Sequence, residues 1–173
     1  MTHPPPVRVN RAPVLTLWAS VVAERLGHPP DTALSLASTV AGTAARAKAR
    51  RLGIEEPREA PGSGSARPRS RTVALLGREI PVTRDAGGAL LAADAEGAPA
   101  PAAAPRAYVA RAFGGRLEEV RAAMEALAAS LPPEELNRVG FRLYEAFRPE
   151  VPEGAKGWGA RGELRIERIR AAG

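Results

Sequence analysis

The chain has 173 residues, 45% of them hydrophobic, with a net charge of +6, no cysteine and two histidines. That length fits one compact domain, or one domain with a flexible interruption. The missing cysteines exclude disulfides, thiolate nucleophiles and cysteine-based zinc sites.

Aromatic residues make up only 4%, and much of the hydrophobic share is alanine, so core volume per residue is modest. Lys48 and Lys156 are the only lysines among 25 cationic residues, and arginine supplies the rest. Residues 1–71 hold 11 Lys/Arg against 5 Asp/Glu, whereas residues 72–173 hold 14 against 14. The whole excess lies in the N-terminal part, which becomes the candidate for nucleic acid or another anionic partner. The opening MTHPPPVRVN lacks the apolar core of a signal peptide, and no run approaches ~18 apolar residues. A cytoplasmic protein with no membrane contact is the expectation.

Residues 1–9 are proline-rich and read as an extended or disordered tail. A helical pair with a basic end follows over 10–54. Its first helix starts near Pro13, with Asn10 or Arg11 at the cap. Val14, Leu15, Leu17, Trp18, Val21, Val22 and Leu26 cover most of its circumference, the pattern of a buried helix. Gly27 ends it, and Pro29, Pro30 and Asp31 open the second helix, where a carboxylate suits the positive dipole end. Leu36, Val40 and Ala44 pack back on the first helix, and the second then runs into Arg46, Lys48, Arg50 and Arg51.

Residues 55–71, rich in Pro, Gly, Ser and Arg, have the composition of a flexible linker. Over 72–173 the expectation is a β-hairpin plus a helical region, possible as one core with 10–54. The hairpin runs Thr72–Leu76 and Glu79–Thr83 about Gly77-Arg78, with Pro81 confining its strand to an edge. Residues 84–105 read as a low-information connection. A short helix over Pro105–Phe113 carries Tyr108, Val109 and Phe113. In the next, Arg116–Leu131, the residues Leu117, Val120, Met124, Leu127 and Leu131 form an amphipathic stripe. That stripe suits a core-facing helix, or a seam for a homodimer or protein partner. Pro132-Pro133 opens a last helix with Leu136, Val139, Leu143 and Phe147 as its buried row. Leu164–Ile169 forms a short strand or helix beyond a glycine-rich loop. The fold class is therefore mainly α: an N-terminal helix pair, a short β-hairpin and a C-terminal helical hairpin in a small α-rich (α+β) domain.

Gly157-Trp-Gly-Ala-Arg-Gly162 matches GxGxxG literally but follows Pro- and Gly-rich sequence instead of a strand, outside any βαβ unit. Lys156, Trp158 and Arg161 there form a candidate anion or stacking loop. His3 and His28 lack metal-ligand spacing, so no metal and no cofactor are expected. Gly62-Ser-Gly-Ser65 lacks the strand–turn–helix context of a nucleophile elbow. FRPEVPEGAKGWGARGEL (Phe147–Leu164) resembles the end of an uncharacterised family of bacterial proteins. RVNRAPVLTLWASVVAERLG (Arg8–Gly27) looks like the same family's opening; the resemblance carries no activity with it.

The functional expectation is a small DNA- or RNA-associated protein that binds through phosphate contacts. Arg46, Lys48, Arg50 and Arg51 supply fixed charge, and Arg67, Arg69 and Arg71 a mobile supplement. Arg8 and Arg11 join them if the N-terminus folds back. The N-terminal end of the second helix carries Pro29, Pro30 and Asp31, unlike a base-reading recognition helix. The alternatives are a helical protein-interaction or regulatory module and an enzyme of unrecognised type, although the absence of a catalytic motif weighs against the latter.

Overall fold

In the computed structural model, residues 6–51, 71–94, 96–150 and 161–172 are described; for 42–51, 71 and 161 the description covers the backbone alone. Val7 and Val9 alternate inward along strand β1 (Val7–Asn10), each almost fully buried. β1 pairs antiparallel with β5 (Arg161–Leu164), Val7 lying opposite Leu164 and Val9 opposite Gly162. Residues 7–9 are thus sheet rather than disordered tail. The pairing explains the difference: a three-residue apolar alternation is too short to register as a strand until its distant partner is known.

Helix α1 (Arg11–Arg25) is the centre of the molecule, with every residue from Pro13 to Ala23 buried. Its polar members turn their hydroxyls back on the helix, Thr16 donating to Ala12 O at 2.9 Å and Ser20 to Leu17 O at 2.7 Å. Gly27, at φ 106°, closes α1 with bonds from its own N–H to Glu24 O and from His28 N–H to Ala23 O. That pair of bonds is the Schellman arrangement, which satisfies the last carbonyls. Helix α2 (Pro30–Arg51) then returns along α1 and buries Ala33, Leu36, Ala37 and Val40 against it.

A three-stranded sheet with order β2-β3-β4 packs beside this pair: β2 (Arg71–Leu75), β3 (Arg78–Arg84) and β4 (Leu90–Ala92). The turn falls on Leu76-Gly77, both at positive φ (52° and 78°), one residue earlier than the expected Gly77-Arg78. Asn137 holds it in place by accepting from Leu76 N–H at 2.7 Å and donating to Ala74 O at 3.0 Å. β4 was unexpected, and it makes β3 the central strand, so Pro81 does not lie on an edge. Pro81 is tolerated because its carbonyl accepts from Ala93 N–H at 2.8 Å, just past the end of β4. An extended residue directs its nitrogen to the same side as its carbonyl, so the missing donor faces the place where the ladder stops.

Ser35 ties sheet to helices. Its buried hydroxyl donates to Ala100 O at 2.7 Å and accepts from Ala92 N–H at 2.8 Å. Losing it would strand two backbone groups, at about 1–3 kcal/mol each.

Helix α3 (Ala103–Phe113), a 3-10 turn (Gly114–Arg116), α4 (Leu117–Ala129), α5 (Pro133–Phe147) and α6 (Ile166–Ala171) complete the chain. On α4, Val120, Met124 and Leu127 are buried and Leu117 partly so, with Leu131 just past its end also partly buried, packed where α4 meets α1 and α6. The stripe faces the core, as a core-facing helix requires, and the chain itself already occupies the face a partner would need. On α5 the buried row is Leu136, Gly140, Tyr144 and Phe147, with Val139 and Leu143 only partly buried. Close approach decides this. Trp18 Nε1 donates to Gly140 O at 2.9 Å, and a side chain at 140 would run into Leu76. Trp18 and Phe147 meet edge to face with centroids 5.4 Å apart. The result is a small α-rich α+β domain in which β1, both helical regions and the sheet share one hydrophobic cluster.

Candidate functional site

α1 and α2 are joined by a tight turn, yet α1 has 15 residues and α2 has 22. Ala41 of α2 and Ala12, at the start of α1, line the same cleft. The rest of α2, through Arg51, therefore continues past the start of α1 as helix. Arg46, Lys48, Arg50 and Arg51 all fall on that continuation. Arg67 and Arg69 lie outside the described residues, and Arg71 begins β2. Lys156 and Trp158 also lie outside them, with Arg161 at the start of β5, so the GxGxxG run is described only at its last two residues.

The N-terminus does fold back, and it separates Arg8 from Arg11. The Arg11 guanidinium donates from Nε to Pro149 O at 3.1 Å, and burial, helped by the nearby Arg148 charge, lowers its pKa. Arg11 is thus committed to holding the chain's two ends together. Arg8 is exposed on β1 and lines a cleft of about 500 Å³ with Asn10, Pro13, Tyr108 and Arg111. Several arginines elsewhere have acid partners: Arg106 pairs with Asp31, Arg121 with Glu24, and Arg168 with Glu150. Among the described residues, neither Arg8 nor Arg111 has one. Asn10 stands at the cap of α1 without bonding to it, and its Oδ1 is buried with no hydrogen-bond partner.

Tyr108, 37% exposed, is the one large hydrophobic side chain left open among the described residues. Partial burial nonetheless raises the pKa of its hydroxyl, which keeps it neutral. Of Tyr108, Val109 and Phe113, α3 buries only the latter two. The cleft itself was invisible in the sequence, because Arg8 and Arg111 meet only after β1 docks beside α3. The available signal was the spacing of Tyr108 and Arg111 by one turn on a face free of the buried pair.

A further cleft of about 480 Å³ is lined by His28, Asp31, Thr32 and Arg84. Its polar groups are engaged structurally: Asp31 pairs with Arg106, Thr32 donates to Leu90 O at 2.6 Å and Arg84 to Gly88 O at 2.8 Å. Burial lowers the pKa of His28, leaving it neutral near pH 7. Among the described residues no group of three His, Cys, Asp or Glu side chains is placed to hold a metal ion, and no helix is long and apolar enough to cross a membrane. Comparison with protein-family models, curated proteins and solved structures finds no significant match.

Proposed function

We propose that the protein associates with DNA or RNA through phosphate contacts made by the end of α2. The observation that carries this reading is the continuation of α2 past α1 with four cations in its last two turns. A basic helix suits the phosphate backbone, and such contacts tolerate any sequence. The described acidic residue nearest to it in α2, Asp31, sits at the opposite end of the helix, so the charge of α2 is polarised.

Fluorescence anisotropy with labelled duplex DNA across a salt series tests this. Binding should weaken steeply with salt, and replacing Arg46, Lys48, Arg50 and Arg51 with alanine should reduce the log–log salt slope by about 3–4, at ~0.9 per phosphate contact. Absence of binding at low salt, or an unchanged slope in a folded variant, would retire the reading.

A further inference from the structure

The cleft that holds Arg8 and Arg111 shares Tyr108 as a wall with a second cleft of about 490 Å³ along the seam between α1 and α3. Ala12, Ala41, Pro101, Ala104 and Pro105 make that second cleft apolar. Its hydroxyls are already spent: Thr16 donates to Ala12 O and Ser38 to Ser35 O, each at 2.9 Å. Along α3, Ala104 and Pro105 come first, Tyr108 one turn later and Arg111 a turn after that. Ala104 to Arg111 spans about 10 Å of helix. The seam thus has an apolar end, an exposed aromatic ring in the middle and a cationic end whose two arginines lack acid partners among the described residues.

We propose that this seam binds a small amphipathic anion, a medium-length alkyl chain ended by a carboxylate. The chain lies against Pro101, Ala104 and Tyr108, and the carboxylate sits at Arg8 and Arg111. Guanidinium forks match carboxylate geometry and stay charged at any physiological pH. An apolar cleft with a few convergent polar groups is the usual form of a small-molecule site. Charge complementarity selects the occupant. A nucleic-acid backbone would neutralise the arginines but leave the apolar half unfilled, and an uncharged alkyl chain would do the reverse. The site is separate from the end of α2 and goes beyond the proposed phosphate binding.

The test is isothermal titration calorimetry of the full chain with octanoate, 1-octanol and acetate at low ionic strength. Octanoate should bind one to one, at least tenfold tighter than either comparison compound. The Arg8→Ala/Arg111→Ala variant should bind octanoate no better than 1-octanol, and Ala104→Trp should weaken both. Arg111→Gln, a milder change at an exposed position, should weaken octanoate alone. Circular dichroism establishes that each variant is folded. The variant lacking Arg46, Lys48, Arg50 and Arg51 should keep full octanoate affinity, which separates this site from duplex binding. Octanoate binding no tighter than 1-octanol or acetate, or unchanged by the arginine substitutions, would overturn the proposal.

Discussion

Tyr144 shows how one side chain couples the two ends of the chain to pH. Its ring is buried on α5, edge-on to Phe147 at 6.0 Å, and its hydroxyl donates to Arg11 O at 3.3 Å. Burial pushes its pKa well above the ordinary tyrosine value, and the nearby Arg11 and Arg148 charges only partly offset this. The unfolded chain therefore loses the phenolic proton first as pH rises. The stabilisation is complete below about pH 10, the ordinary tyrosine pKa, and is lost as pH climbs above it. Tyr144→Phe keeps the ring and removes the proton. Urea midpoints should show the wild type losing stability relative to this variant as pH rises above about 10. A gap between the two that stays constant with pH would mean that Tyr144 is not the group responsible.

At the scale of elements, β1 shows why a short segment can matter more than its sequence suggests. Val7 and Val9 are 4% and 2% exposed, and they pair with a strand whose Gly162 is required by close packing. A Cβ at 162 would lie 2.7 Å from Pro149 Cβ and 2.8 Å from Glu150 O, where the chain entering from α5 bridges to Glu163. Burying each valine removes two methyl groups from water, so Val9→Ala should cost about 1.5–2.5 kcal/mol. Chemical denaturation checks this, and a cost within ~0.5 kcal/mol of zero, typical of exposed sites, would return β1 to the status of a loose tail. The helical elements were legible from their periodicity and stop signals. Gly27 and Pro132-Pro133 mark the ends of helices where the structure has them, since caps and breakers act locally. β4 was not legible, because three residues following an Asp85 turn acquire strand character only from the neighbour they pair with.

For the molecule as a whole, the shared cluster sets the cooperativity. Residues of β1, α1, α2, the three-stranded sheet, α4, α5 and α6 belong to one buried set, with Trp18 at its centre. The N-terminal helix pair and the later helical region are thus one folding unit among the described residues. Such a unit should unfold in one step. Far-UV circular dichroism and Trp18 fluorescence, the latter read in a Trp158→Phe background, should give coincident midpoints. Separate midpoints would show that the helix pair and the remainder fold apart.

The sequence by itself determined the helices and the position of the charge. Amphipathic spacing, capping residues and composition are local properties, and they survive in one dimension. The face of each helix that stays open was decided only in three dimensions. Tyr108 and Phe113 are both aromatic residues of α3, yet packing buries one and exposes the other. Arg8 and Arg11 are three residues apart, yet Pro149 claims Arg11 and leaves Arg8 free to face Arg111. Contacts between residues about a hundred positions apart have no signature in a single sequence, because the loop that joins them costs the same whatever its ends will touch.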